Sequence, residues 1–133
     1  MPSDSPTEAF ARGEHDYLLP LVEHLKLREV ARKTSLPTWA AIDYKSGCLL
    51  VRFEYERGLM SLCVASTTEP DRFWPVEIVA ELFPRIRLMP GGLQRLSLDE
   101  QRSFLLEHVE KLQQLFAATQ YASTREKLQR VGT

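Results

Sequence analysis

This chain has little of what small proteins use to build chemistry. Of its 133 residues only two are cysteine, Cys48 and Cys63, and three are histidine, His15, His24 and His108. The histidines form no i,i+4 pair and no HExxH arrangement, the spacings that set two imidazoles on one helix face for a metal. No metal site and no cofactor is expected. Long apolar runs are also missing: nothing approaches the ~20 residues of a membrane span. Residues 1–13 are polar and lack the basic start and apolar core of a secretory signal. The expected compartment is therefore the cytoplasm, with no membrane partner. Charge of one sign is absent too. Seventeen Lys and Arg stand against 18 Asp and Glu, a net −1, and the two signs are interleaved. Nucleic-acid binding by counterion displacement needs clustered cations, so nucleic acid is disfavoured as a partner.

What is present is the material of one core. Apolar residues make up 44% and charged residues 26%, the proportions of an ordinary globular domain, and the length suits one core and not two. Residues 1–13, with Pro2 and Pro6, read as a flexible tail before a single domain over 14–133. The clearest pattern is Thr38–Ser66, three alternating segments joined by X-Gly turns. A Ser46-Gly47 turn sets Tyr44 against Leu49, Ile42 against Val51 and Ala40 against Phe53. An Arg57-Gly58 turn sets Tyr55 against Met60, Phe53 against Leu62 and Val51 against Val64. One face of this antiparallel meander is then wholly apolar, as period-two alternation requires of a buried face. The other carries Trp39, Asp43, Arg52, Glu54 and Ser61.

Helical spacing of Leu18, Leu21, Val22 and Leu25 predicts a first helix over about Asp16–Arg28, with Pro20 kinking or delaying it. Arg32–Pro37 reads as a connector. A short helix follows over about Pro75–Phe83 with proline at its first position. Pro90-Gly91-Gly92 breaks the next stretch, and Arg85–Met89 is the candidate for one extra edge strand. Ser97 and Glu100 form a capping box for a long helix whose stripe is Phe104, Leu105, Val109, Leu112, Leu115 and Phe116. Ser123–Val131, anchored by Tyr121 and Leu128, reads as a last helix. The fold class is α+β: a three-stranded antiparallel meander, with that one edge strand in reserve, and helices packed on one face.

Candidate sites are few. In the expected register Cys63 lies opposite Arg52, four residues from Cys48. Four strand residues span roughly 13 Å, beyond the ~4.4–6.8 Å between Cα atoms that a disulfide allows, so both thiols are expected free. Arg52 beside Cys63 favours a thiolate, yet no histidine is placed to act as base. Arg85, Arg87 and Arg95 flank the glycines before the capped helix, an arrangement that can hold an anion. It lacks the Lys-Ser/Thr ending of a P-loop, and Asp99 and Glu100 oppose a phosphate there. The polar sheet face is the fullest surface. Trp39 sits opposite Glu54 with Asp43 diagonal to Arg52. Trp39 is either covered by the N-terminal segment or the last helix, or is a binding anchor of the kind enriched at interfaces.

Leu98-Asp99-Glu100-Gln101, Phe104-Leu105, Leu112, Leu115-Phe116, Tyr121, Thr124 and Leu128, with the strand pattern and the Trp74 helix, resemble a diffuse group of small bacterial α+β proteins. Members are often encoded beside secreted polymorphic toxins and are thought to be cytoplasmic immunity proteins. The resemblance spans residues 14–130 loosely. It implies a fold and supplies no functional residues. A second likeness, to type III secretion chaperones, implies two more strands between the middle and last helices, a dimer and an effector partner. The expectation is a non-enzymatic cytoplasmic protein-binding domain, in its sharpest form an immunity protein that occludes a toxin through Trp39, Asp43, Arg52 and Glu54. The alternatives are a secretion-type chaperone, or an anion- or nucleotide-binding domain using Arg85, Arg87 and Arg95. Oligomeric state does not follow from the residues.

Overall fold

A computed structural model describes residues 5–83 and 95–131. The fold is α+β, with a five-stranded antiparallel sheet in the order β1-β2-β3-β4-β5. The chain runs α1 (Pro6–Gly13), a π-helical turn (Glu14–Leu18), α2 (Leu19–Leu25), β1 (Arg28–Ser35), β2 (Trp39–Ser46), β3 (Leu49–Glu56) and β4 (Leu59–Ser66). It continues with β5 (Trp74–Pro75), α3 (Val76–Val79) and its 3-10 extension (Ala80–Leu82), α4 (Leu98–Leu115) and α5 (Tyr121–Val131). The expected strand Arg85–Met89 lies outside the described residues. The two strands added to the meander are β1 and β5, one at each edge.

The β3–β4 register is the expected one, with Tyr55 opposite Met60, Phe53 opposite Leu62 and Val51 opposite Val64. Arg57 and Gly58 both take positive φ, 50° and 89°, as a type I′ hairpin turn demands. The β2–β3 register differs by two residues. Ser46 pairs with Leu49, Tyr44 with Val51, Ile42 with Phe53 and Ala40 with Tyr55. The loop is therefore Gly47-Cys48 rather than Ser46-Gly47. Gly47 takes the left-handed first position (φ +60°), which serine fills poorly, and Ser46 stays in the ladder. A shift of two leaves every side chain on its expected face, so the apolar face survives.

That face is closed by helices. Ile42, Val51, Phe53, Leu62 and Val64 join one core with Phe10, Leu18, Leu21, Phe104, Leu105, Leu112, Phe116 and Leu128. The expected tail is overturned for its described part. Residues 6–13 are helical, Ser5 Oγ accepts from the Glu8 N–H (3.2 Å), and Phe10 stacks on Phe53 with centroids 5.5 Å apart. Gly13 lets this helix approach closely; a Cβ there would stand 2.9 Å from Phe53 Cζ. The first helix thus starts ten residues before Asp16 and ends at Leu25, where Lys26 takes φ 54° and Leu27 N–H reaches back to Val22 O (3.0 Å). Pro20, which has no N–H to give, follows directly on a π-turn closed by the Leu19 N–H to Glu14 O bond.

Residues 28–35 are correspondingly strand β1, not helix end and connector. This segment shows no alternation because it is exposed along almost its whole length. A bulge at Val30 and a run of charges blunt its free edge. The turn into β2 contains the cis Leu36–Pro37 bond.

Phe53 is the centre of this arrangement, fully buried and stacked. Phe53→Ala is expected to cost about 3–5 kcal/mol through lost burial and a cavity. Chemical denaturation would measure it, and an unchanged midpoint would contradict the packing described.

Candidate functional site

Among the described residues the buried helix side chains join the core on the first face of the sheet, and the second face builds a polar group with a half-buried aromatic. Asp43 and Arg52 sit directly opposite one another on β2 and β3. Arg52 donates twice to one carboxylate, Nε to Oδ1 (2.7 Å) and Nη2 to Oδ2 (3.1 Å). Its guanidinium carbon lies over the ring of Phe73, 4.0 Å from the centroid, on the loop before β5. The fork geometry and the aromatic contact explain why arginine and not lysine serves here. The Asp43 bonds and neighbouring acids raise the Arg52 pKa, so this cation is permanent.

Trp39 faces Glu56 across the ladder, with Glu54 diagonal, the reverse of the expected arrangement and a direct result of the two-residue shift. Its indole N–H still reaches Glu54, donating to Oε2 at 3.1 Å, and Arg52 lies 5.9 Å from its ring. The four predicted residues therefore form one connected group. Trp39 is half-buried. The C-terminal cover expected for a tryptophan goes to Trp74, whose Nε1 donates to the Tyr121 hydroxyl (3.1 Å) at the start of α5. That hydroxyl donates to Glu69 (2.8 Å), which also holds Arg125 (3.0 Å). The N-terminal helix covers the opposite face of the sheet through Phe10.

Below this group the face is tighter than the sequence suggests. Ala41, Leu50, Cys63 and Ala65 are buried yet lie outside the main core. Phe73 was not foreseen as part of the site; its only signal was an aromatic at the end of a polar loop. Both cysteines are free. Cys63 does face Arg52 as expected, but burial first, then Glu54, outweighs the cation and pushes the thiol from 9.0 up to about 12. The expected thiolate stabilisation is overturned. Cys48 lies in the hairpin loop, where its Sγ and N–H both bond Gln113.

Of the candidate anion site, Arg85 and Arg87 lie outside the described residues, as do the glycines. Arg95 lines a groove of about 490 Å³ together with Glu54, Glu56 and Glu77. An anion at Arg95 would meet those carboxylates. Asp99 pairs with Arg102 (3.2 Å) and Glu100 closes the capping box with Ser97. His15 is exposed beside Asp16, and His108 packs against Phe83 and Phe104. Among the described residues no three His, Cys, Asp or Glu side chains are grouped to hold a metal, and no helix is long and apolar enough to cross a membrane. No family model, curated protein or solved structure matches this chain.

The buried thiol has a measurable consequence. Between pH 9 and 12 the unfolded chain loses the Cys63 proton while the folded chain keeps it, so stability falls as pH rises. Tyr44 and Tyr121, whose pKa values are also raised by burial, act in the same direction. Cys63→Ala should flatten the decline of unfolding free energy above pH 9, by up to about 1.4 kcal/mol per pH unit. Denaturation curves across that range would show it, and an identical slope would place Cys63 in contact with water.

Proposed function

We propose that this chain is a non-enzymatic protein-binding domain whose contact surface is the outer sheet face around Trp39, Asp43, Arg52 and Glu54. The observation that carries the reading is the fixed geometry of this group: a half-buried indole held by Glu54 beside an arginine clamped between Asp43 and Phe73. Side chains already ordered lose little entropy on association. Strand-borne groups hold their positions better than loop-borne ones. Trp and Arg are the residues that most often dominate interface energetics, and mixed charge selects among related partners.

The sharper form of the proposal is a cytoplasmic immunity protein that neutralises a toxin by covering its site. The likeness of Leu98–Gln101, Phe104-Leu105, Leu112 and Leu115-Phe116 to small bacterial proteins of that kind supports it. The test compares tagged wild type and Trp39→Ala in pull-downs from the native host, with melting curves in parallel. A partner held by the wild type should bind the variant at least ~2 kcal/mol more weakly, about 30-fold, at a nearly unchanged Tm. Lost stability with unchanged affinity in the folded fraction would make Trp39 a packing residue and overturn the proposal.

A further inference from the structure

The same face bears a second feature, at the end of the sheet away from Trp39. Arg28 and Lys45 stand directly opposite each other in the β1–β2 ladder. Like charges in that position destabilise a sheet. Both line one groove of about 460 Å³, with Val30, Asp43, Leu50, Thr67, Pro70 and Asp71. Among the described residues neither side chain has an ion-pair or hydrogen-bond partner. Three other arginines do have carboxylate partners: Arg32 pairs with Glu14 and Glu29, Arg52 with Asp43 and Arg125 with Glu69. Of the two acids that line the groove, Asp43 is paired through both oxygens with Arg52, which leaves Asp71 as the groove's uncommitted carboxylate against two uncommitted cations.

We infer that this groove seats an aspartate or glutamate side chain of the protein partner between Arg28 and Lys45, a reading that rests on the protein-binding function proposed above. A carboxylate there relieves the repulsion that the chain itself leaves uncompensated. The remaining lining fits a peptide rather than a bare anion. Val30 is the extra residue of the bulge in β1 and is 46% exposed, and with Leu50 and Pro70 it gives an apolar surface for the residue beside the acid. A more highly charged phosphate would meet Asp71 and Asp43 at close quarters.

The probe is the peptide Ac-Val-Glu-Val-Glu-NH2 at low salt, followed by amide NMR, with Ac-Val-Gln-Val-Gln-NH2, inorganic phosphate and oligo-dT as comparators. The acidic peptide should move the amides of residues 28–30, 45 and 67–71, and the glutamine peptide should not. Lys45→Glu should weaken that binding at least 10-fold while Tm stays level or rises, because a like-charge pair becomes an opposite one. Arg28→Gln supplies a second variant with the same expected loss. Equal shifts with the glutamine peptide, shifts outside the groove, retained affinity in both variants, or a lowered Tm for Lys45→Glu would each overturn the inference. Stronger groove shifts with phosphate or oligo-dT would overturn it in favour of a phosphate ligand or a nucleic acid. With the native partner, weakening by Trp39→Ala and not by Lys45→Glu would sink this inference and leave the protein-binding reading standing; insensitivity to both would sink the two together.

Discussion

The structure depends on how α4 satisfies backbone that the sheet leaves open. β5 pairs only with Cys63 and Val64, so among the described residues the rest of β4 has no neighbouring strand on that side. Gln101, 4% exposed, fills the gap: its Oε1 accepts from the Leu62 N–H (2.8 Å) while its Nε2 donates to Leu96 O (3.0 Å). Twelve residues along the same helix, Gln113 accepts from the Cys48 N–H (3.1 Å) and donates to Ser46 O (2.6 Å) at the β2–β3 turn. Ser66 adds a bond to Phe116 O (2.6 Å). A buried amide left unpaired costs about 1–3 kcal/mol, so the helix can dock at one height only. The apolar stripe gives the attraction and the glutamines fix the register.

With α4, α1 and α2 committed to one face, the other face is left for charge. Its residues still form a layer, because the small Ala41 and Ala65 and the buried Leu50 and Cys63 let long side chains lie flat over them. Arg52 is the keystone of that layer, tied to Asp43 and set over the Phe73 ring. Toward the β3–β4 turn the surface is acidic, with Glu54 and Glu56 against Arg57 and the 77% exposed Leu59. Toward the start of β1 it is basic, with Arg28 and Lys45. A partner that matches both ends can dock in one orientation only.

Much of this was legible in the chain. Alternation over Thr38–Ser66 determined which side chains share a face, and the Arg57-Gly58 turn gave its strand pairing directly. Ser97 and Glu100 set the start of α4 to the residue. The N-terminal helix carried a readable signal as well, since Ser5-Pro6-Thr7-Glu8 has a capping serine, a proline at the first position and an acid in the first turn. Its polar composition hid it, because its buried residues are Phe10 and Gly13, and one apolar side chain draws no stripe.

The residues alone therefore determined the class of fold, the buried face and the four residues that share the outer one, because periodicity is a local property of the chain. Only tertiary structure decided the rest. The two-residue shift at Gly47 follows from turn geometry and the grip of Gln113, 65 residues or more away, acting together. It alone makes Asp43–Arg52 a direct pair and Trp39–Glu54 a diagonal one. β1 has no pattern of its own and exists because β2 offers it a ladder. The Cys63 thiol was expected to feel its arginine neighbour, and its depth in the sheet outweighed that charge; burial is a sum over the whole fold, which no short stretch of sequence contains.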